Sequence, residues 1–327
     1  MLGTTSQQLL EAIRAECGND RIEWAAEPTV LAGGFSSQMW LLEIIGDDRL
    51  AGALVGRVLP GAEIAPREVA VQTHLASAGF ATPAVRLSGA PGRHLDHPWM
   101  VMDRVVGTPL LAGLSGLSAL ARLPDLARTV PDTLAGCAAS LHSYDPDPLT
   151  ESFGLGDDVL DFLTQMRDRM VANDRTDLVA LADDLLATRP NSDRVVICHG
   201  DLHPFNVLTG PAGATVIDWT TARRADPTFD LAFTNLLLTH PPLRTPRALA
   251  PVLNRVGGHL GRRFLDRYCD ETNFRLDRDA LNWFTLLSSL RILVELANLR
   301  AEGQSDPSDH PFVDMEPALR RLVAERG

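Results

Sequence analysis

A short polar segment in the second half of the chain carries residue types that are suited to phosphoryl transfer. The segment His199–Asn206 contains a carboxylate at Asp201 and ends on the amide of Asn206, and a second carboxylate, Asp218, follows 12 residues after that amide. Carboxylate and amide oxygens are the ligands that a hard cation such as Mg²⁺ prefers. Phosphoryl transfer needs one carboxylate that orients the acceptor hydroxyl, together with an Asn and an Asp that hold metal on the nucleotide phosphates.

Two apolar runs flank this segment and must position its side chains. Val195–Cys198 precedes it and Thr215–Ile217 lies directly before Asp218, so both runs are predicted to be strands. We expect the two strands to meet in a tight hairpin that brings Asp201, Asn206 and Asp218 together. A single Asp or Asn in a turn is usually a cap or an Asx-turn, but three at these spacings favour a site.

The first third of the chain has the pattern of a small β-rich lobe. Apolar periodicity and turn residues predict, in chain order, a helix, several strands with a glycine turn between the first two, a second helix and two more strands. These elements are a helix at Ser6–Cys17, strands between Glu27 and Val58 with the turn at Gly33–Ser37, a helix from Pro66 to about Ala78, and strands at Val85–Leu87 and Trp99–Met102.

The rest of the chain has a different composition. After Gly107 the sequence is rich in Leu and Ala and is predicted to be mostly helical. A chain of 327 residues is long enough for two domains, at roughly 100–200 residues each. We therefore predict a two-lobed α+β fold, with a β-rich N-terminal lobe at residues 1–103 and a mostly α-helical C-terminal lobe at residues 104–327.

The charge balance restricts the kinds of partner that the protein is expected to bind. The chain has 30 Lys+Arg against 42 Asp+Glu, a net charge of −12, and every basic side chain is arginine. General nucleic-acid binding requires cations that neutralise phosphates, so no nucleic-acid partner is expected. No signal peptide is evident, and the longest apolar run falls short of the roughly 20 residues of a membrane span. The cytoplasm without a membrane partner is therefore expected, and the oligomeric state stays open.

The motifs around the polar segment resemble the aminoglycoside phosphotransferase/choline kinase-like family, whose members have a protein-kinase-like fold. The family signature HGD-xxxx-N is matched by His199–Asp201 together with Asn206. Ile217–Trp219 matches the element around the family's metal-binding aspartate. Ala225–Ala232 matches the downstream GDPxxDLA element, with alanine in place of the usual first glycine. The resemblance extends over roughly residues 31–238.

This resemblance implies an ATP- or GTP-dependent and Mg²⁺-dependent kinase that phosphorylates a hydroxyl group of a small molecule. Asp201 would be the catalytic carboxylate, and Asn206 and Asp218 would bind Mg²⁺. The glycine turn would cover the phosphates, and residues around the end of the last predicted strand would lie at the adenine edge. The nucleotide-binding residues implied in this way are Gly33, Gly34, Phe35, Ser36, Ser37, Met102, Asp103 and Val105.

The family also places a lysine or arginine on the third strand and pairs it with a helix glutamate to hold the phosphates. Because the chain has no lysine, Arg57 is the best match for the cation and Glu68 for its partner. Arginine stays charged and can bind phosphate through two N–H groups. The alternative interpretation is an exposed strand arginine and a glutamate that favours a helix N-terminus.

Two other functions are compatible with the sequence. A nucleotide-binding pseudokinase, acting as a sensor or a partner-binding module, would account for the missing lysine. A zinc hydrolase would use His199 and His203, although Gly200 and Pro204 argue against the helix that such a pair requires.

The kind of acceptor is only partly restricted. Asp230 follows Asp218 by only 12 positions, which leaves no room for the activation segment of a protein kinase. A small-molecule acceptor is therefore favoured, and macrolides, other antibiotics, sugars, amino alcohols and hydroxyacyl thioesters all stay open.

Overall fold

The structure is a computed structural model that describes residues 5–31, 37–59, 61, 63, 65–112, 116–149, 159–172, 175–192, 194–242, 250–302 and 310–325. The chain divides into two compact units: the first combines Met1–Pro109 with Asn206–Ala222, and the second combines Leu110–Phe205 with Arg223–Gly327. The predicted division after residue 103 stays a prediction. The compact units differ from it in that residues 104–109 and 206–222 group with the N-terminal residues.

The first unit is built on a six-stranded antiparallel sheet. Strands β1, β3, β4, β6 and β5 are neighbours in that order, and β2 also pairs with β3. Strands occur in every stretch of this unit where the sequence predicts them. They are β1 Glu23–Trp24, β2 Thr29–Val30, β3 Gln38–Ile45, β4 Ala53–Val58, β5 Val85–Gly89 and β6 Trp99–Asp103, with a 3₁₀ turn at Asp48–Leu50.

The two helices of this unit confirm the sequence prediction. Helix α1 is Ser6–Cys17; it begins at a capping box formed by Thr5 and Gln8 and ends before Gly18, whose φ of +59° is left-handed. Helix α2 is Ala65–Ser77, which starts one residue before the predicted proline. Both helices are therefore specified by local sequence signals.

Alternation along β4 decides which side chains face which helix. Leu54 and Val58 pack in one core cluster with the buried side of α1. Arg57 is out of phase with them and points to the opposite face of the sheet, where α2 packs against β6. The sheet therefore holds Arg57 on the α2 side.

The segment around Asp201 and Asp218 does not form the expected hairpin. In the first unit, β9 (Val207–Gly210) pairs with β10 (Gly213–Val216) on one side and with β7 (Thr108–Pro109) on the other. In the second unit, β8 (Val196–Cys198) pairs with β11 (Arg223–Ala225). The two predicted strands are therefore not partners of each other. The sequence pattern missed β9 because this strand has only two large apolar residues.

The remaining helices belong to the second unit, as the composition predicts. Buried side chains from five of them, together with β8, form one core cluster. Among the described residues, Arg278–Arg300 is long and apolar enough to cross a membrane, but most of it is buried, as in a core helix. The helices are α3 Gly116–Leu141, α4 Val159–Ala172, α5 Thr176–Ala187, α6 Thr228–Thr239, α7 Ala250–Thr272, α8 Arg278–Glu302 and α9 Glu316–Ala324, with a 3₁₀ turn at Pro311–Met315.

Two adjacent glycines of α7 differ in how closely they approach α6. A Cβ atom at Gly257 would lie 2.7 Å from the Thr239 carbonyl oxygen and 2.8 Å from that of Leu238. A Cβ atom at Gly258 would meet nothing nearer than Arg262 Nη1 at 3.5 Å. We expect Gly257→Ala to lower the free energy of unfolding by about 1–3 kcal/mol, because backbone atoms must move. The matched control, Gly258→Ala, should raise it by about 0.5–1 kcal/mol through helix propensity.

Urea unfolding of the two variants measures this difference. Equal effects of the two substitutions would show that α7 does not approach the α6 backbone as closely as the structure has it.

Candidate active site

The loop that carries Asp201 begins in the second unit, where β8 ends. Gly200 has φ +77°, in the left-handed region that favours glycine, and it turns the chain between His199 and Asp201. His199 is fully buried, and its Nδ1 accepts a hydrogen bond from the Asp201 N–H at 3.2 Å. His199 therefore braces the loop, and Asp201 stands on a backbone whose path is fixed.

A buried carboxylate of α6, Asp230, anchors the same loop. Its Oδ2 accepts the His199 N–H at 2.7 Å and its Oδ1 accepts the Gly200 N–H at 2.6 Å. His142 Nε2 lies 3.2 Å from Oδ2, and His142 Nδ1 lies 2.8 Å from the Tyr268 hydroxyl. Burial alone would raise the pKa of Asp230, but the hydrogen bond and charge of His142, with further help from His199 and Gly200, bring it below its usual value. Asp230 therefore ties the loop down as an anion.

Asp201 itself keeps some access to solvent. Its side chain is 24% exposed, His203 Nε2 lies 3.5 Å from its Oδ2 and Arg291 Nη2 lies 3.5 Å from its Oδ1. Desolvation would raise the pKa of Asp201, but the hydrogen bond from His203 and the charge of Arg291 hold it below its usual value. Asp201 is therefore ionised at neutral pH and can accept a hydrogen bond from a hydroxyl group.

In the first unit, one end of the β9–β10 hairpin carries both predicted metal ligands. Val207 pairs with Val216, so Asn206 and Asp218 flank the same end, and the Ile217 N–H donates to the Asn206 carbonyl at 3.0 Å. Asp218 has φ +69°, a left-handed value that is uncommon outside glycine. Its side chain is 40% exposed, so a ligand can reach it.

Arg57 is the centre of a polar network on the α2 side of the main sheet. Its Nη1 donates to Glu68 Oε1 at 2.5 Å, and its Nη2 lies 3.2 Å from Asp218 Oδ1 and from Thr220 Oγ1. Thr220 Oγ1 in turn lies 2.6 Å from Asp218 Oδ1 and 3.2 Å from Glu68 Oε2. The Arg57 Nε–H donates to Ser37 Oγ at 3.0 Å. The alternative interpretation of Arg57 as an exposed strand arginine is therefore wrong.

Burial and the neighbouring charges together determine the ionisation of this network. Arg57 is 5% exposed and Glu68 is 1% exposed. Burial disfavours the guanidinium cation, but the Glu68 and Asp218 carboxylates outweigh that effect and raise the pKa of Arg57. Burial raises the pKa of Glu68, and the charge of Arg57 opposes the rise. Arg57 accordingly keeps its positive charge inside the protein.

The other residues that the sequence predicts to bind nucleotide lie only partly within the described residues. Gly33, Gly34, Phe35 and Ser36 lie outside the described residues, and Ser37 accepts the hydrogen bond from Arg57. Their role at the phosphates stays a prediction.

The residues predicted at the adenine edge lie at the end of β6 and just after it. Met102 and Asp103 close the strand, and Val105 follows it. Met102 Sδ lies 3.3 Å from Nε2 of the buried Gln72. The Asp103 N–H already donates to the Ala84 carbonyl at 2.9 Å. A contact of Asp103 with adenine would therefore use another of its atoms.

The donor set at the hairpin end fits a hard cation. Asn206 and Asp218 offer amide and carboxylate oxygens, which suit Mg²⁺ rather than a soft metal. The 40% exposure of the Asp218 side chain leaves it accessible to a cation.

A second cluster could be mistaken for a metal site. Among the described residues, His142, Cys198 and Asp230 have ligand atoms within 4.8 Å of one another. His142 and Asp230 are already hydrogen-bonded to protein groups. Burial raises the pKa of the Cys198 thiol, which disfavours the thiolate that binds metal. These three residues are therefore better explained as a structural network than as a metal site.

Four residues of the site were not identified from the sequence. Thr220 could have been found, because it stands two residues after Asp218 within the same motif. Arg291 interrupts a strongly apolar helix, which is a signal of a function or of a buried contact. His142 and Tyr268 give no such signal, since a His and a Tyr at a helix end are ordinary.

The pKa of Asp230 leads to a prediction about stability. We expect Asp230→Asn to lower the free energy of unfolding at pH 7 by about 3–5 kcal/mol, because it removes one partner of a buried charged network. Because the pKa of Asp230 is lower in the folded state, its contribution is fully present above the unfolded pKa of about 3.9 and is lost as the pH falls towards the folded value. The difference between wild type and variant should therefore shrink as the pH falls below about 4.

Urea unfolding at a series of pH values measures this change. Asp125→Asn is a control at an exposed carboxylate, and it should change stability by less than about 0.5 kcal/mol. A difference between wild type and Asp230→Asn that does not vary with pH would contradict the assigned ionisation.

Solved structures of other proteins share this fold. A thermostable mutant of aminoglycoside phosphotransferase APH(4)-Ia, in ternary complex with AMP-PNP and hygromycin B, matches with a TM-score of 0.64 at 19% identity over 98% of each chain. Macrolide 2'-phosphotransferase MphH from Brachybacterium faecium matches with a TM-score of 0.56 at 19% identity, over 94% of this chain and 98% of that one. Choline kinase from Cryptosporidium parvum Iowa II matches with a TM-score of 0.61 at 12% identity, over 98% of this chain and 95% of that one. These matches confirm the two-lobed, protein-kinase-like α+β fold.

Sequence comparison gives the family. A search of curated protein sequences gives no significant match. The sequence profile of the phosphotransferase enzyme family matches residues 27–275, which is more than half of the chain and includes all the candidate site residues named from the sequence. The chain belongs to the phosphotransferase enzyme family.

Proposed function

We propose that the protein is a kinase that uses ATP or GTP with Mg²⁺ to phosphorylate a hydroxyl group of a small molecule. The observation that carries the proposal is the Arg57 network, in which a buried cation, its partner Glu68 and the carboxylate of Asp218 are joined by hydrogen bonds. Membership of the phosphotransferase enzyme family supports the reaction class.

Asp201 has the role of the catalytic carboxylate in this proposal. It accepts a hydrogen bond from the acceptor hydroxyl, orients the oxygen for attack and receives the proton as the phosphoryl group is transferred. Its lowered pKa makes it a weak base, so its position contributes more than its basicity. The anchoring of its loop by Asp230 and His199 serves that purpose.

The residues of the first unit have the role of holding the nucleotide. Asn206 and Asp218 would bind Mg²⁺, which when bound neutralises charge on the phosphates. Arg57 adds a permanent positive charge that the protein holds in place through Glu68 and Ser37. The turn at Gly33–Ser37 would cover the phosphates with backbone N–H groups.

The short span between Asp218 and Asp230 supports a small acceptor. It is occupied by β11 and by the start of α6 at Thr228, which leaves no activation segment in these fully described residues. A peptide acceptor would lack the platform that protein kinases provide there. The matching structures are named for aminoglycosides, a macrolide and choline, and these names support a small hydroxyl compound here.

A cytoplasmic location is also part of the proposal. The four cysteines are unpaired in the structure, and unpaired thiols are typical of a reducing compartment. ATP and GTP are available in the same compartment.

Two substitutions separate the proposed roles. Asp201→Asn should lower kcat by about 10²–10⁴-fold and leave nucleotide binding intact, because it changes the group that meets the acceptor. Asp218→Asn should weaken the Mg²⁺-dependent binding of nucleotide. Asp168→Asn is the control at an exposed carboxylate and should change neither. Product formation and thermal shift with Mg-ATP measure the two effects, and full turnover by Asp201→Asn would show that its role is misassigned.

The acceptor can be found by a screen of nucleotide consumption. ATP and GTP are each tested with aminoglycosides, macrolides, sugars, amino alcohols and hydroxyacyl thioesters. Nucleotide-dependent stabilisation without turnover of any acceptor would favour the pseudokinase instead. The absence of stabilisation by either nucleotide would reject both.

A further inference from the structure

Arg291 stands out because it is a charged residue inside an apolar stretch of α8. Its neighbours Leu290 and Ile292 are fully buried. Its own side chain is only 15% exposed, and its guanidinium group lies over the ring of Phe233, with 4.8 Å from Cζ to the ring centroid. Burying a charged arginine costs free energy unless the charge is paired and hydrogen-bonded. The contacts of Arg291 therefore need an explanation.

Those contacts are made with the catalytic loop. Arg291 Nη1 donates a hydrogen bond to the Gly200 carbonyl oxygen. Its Nη2 lies 3.5 Å from Asp201 Oδ1. The two ends of one guanidinium group therefore contact the backbone just before Asp201 and the carboxylate of Asp201 itself.

The Gly200 residue is held from two sides. Its N–H is taken by Asp230 Oδ1 at 2.6 Å, and its carbonyl is taken by Arg291. Because Gly200 is left-handed, with φ +77°, and has no side chain, it could adopt many other conformations. The pair of contacts, one anionic and one cationic, restricts it to one of them.

We propose that Arg291 is a positioning residue for the phosphoryl transfer, which holds the Gly200 backbone and the Asp201 carboxylate in the orientation that an acceptor hydroxyl requires. The inference rests on the proposed kinase function. It adds a residue from α8, some 90 positions away in sequence from the loop, to the support of the catalytic carboxylate.

The fork of arginine is the property that this role uses. One planar guanidinium group can donate in two fixed directions, whereas the ammonium of lysine is a point charge. Arg291→Lys should therefore keep the charge near Asp201 but lose one of the two contacts. Arg291→Gln keeps a donor for the Gly200 carbonyl and removes the charge.

The ionisation of Asp201 depends on the titratable and charged groups that face it. They are His199 and His203 from its own loop and Arg291 from α8, with Asp230 of α6 bonded to the loop backbone. Loss of the Arg291 charge removes one of the groups that keep the pKa of Asp201 low. The acid limb of the pH–rate profile should then move to higher pH, because Asp201 becomes protonated earlier as the pH falls.

Steady-state kinetics of both variants test the proposal. We expect Arg291→Gln to lower kcat by about 100-fold, as for a misplaced catalytic group, with the KM for nucleotide within about twofold and the acid limb shifted upward. Arg291→Lys should lose less and keep the acid limb near its wild-type position. Arg300→Gln is the matched control: Arg300 lies on the same helix and is ion-paired with Glu316 at the surface, so its kinetics should match wild type.

A second readout does not depend on turnover. ¹³C-carboxylate NMR follows the titration of Asp201, whose signal is assigned by its loss in Asp201→Asn. The Asp201 titration should move to higher pH in Arg291→Gln and stay in place in Arg300→Gln. Should Arg291→Gln fail to fold, Arg291→Lys still reports a changed chemical shift at Asp201 if the contact exists.

The outcomes separate this inference from the proposed function. Unchanged kcat in both Arg291 variants, or an unchanged Asp201 titration in Arg291→Gln, overturns the role of Arg291 while the kinase assignment stands. Absence of any turnover by wild type rejects the kinase assignment, whereas the NMR titration still decides whether Arg291 acts on Asp201.

Discussion

The shape of the loop that carries Asp201 depends on one buried carboxylate. Asp230 accepts the N–H groups of two consecutive residues, His199 and Gly200. A buried N–H without a partner costs about 1–3 kcal/mol. A path of the loop that broke these two contacts would therefore lose stability at both N–H groups. The anion is tolerated inside the protein because His142 donates to it and is itself held by Tyr268. The position of Asp201 thus follows from groups on α6 and α7 and in the turn that follows α3, all in the same unit.

Local signals in the sequence predicted much of the fold. Helix α1 has a capping box at Thr5 and a glycine stop at Gly18, so its bounds needed no tertiary information. The candidate site residues Asp201, Asn206 and Asp218 were named from their types and spacing alone, and the structure places the last two at one hairpin end. These features share a cause, since each is decided within about a dozen residues.

Features that depend on distant partners could not be predicted in the same way. The apolar runs at β8 and β10 were recognised, but β8 pairs with β11 and β10 pairs with β9. Apolar periodicity shows that a segment is a buried strand without showing which strand lies beside it. Arg291 and His142 were missed for the same reason, because each contacts the loop or its anchor across a separation of more than 50 residues.

Two arginine–aspartate pairs, one in each unit, show how a chain without lysine distributes its charges. Arg57 pairs with Asp218 and Arg291 with Asp201; in both pairs the arginine is the more buried partner and the aspartate keeps more exposure. Each guanidinium group also donates to a second acceptor, Glu68 for Arg57 and the Gly200 carbonyl for Arg291. These contacts fix its orientation, so it acts as a fixed positive charge beside a carboxylate that stays accessible. In the proposed phosphoryl transfer, Asp218 would meet a cation and Asp201 a neutral hydroxyl group. Both carboxylates are paired with a buried arginine, but their backbone conformations differ. Asp218 itself has a left-handed φ, whereas Asp201 follows a left-handed glycine.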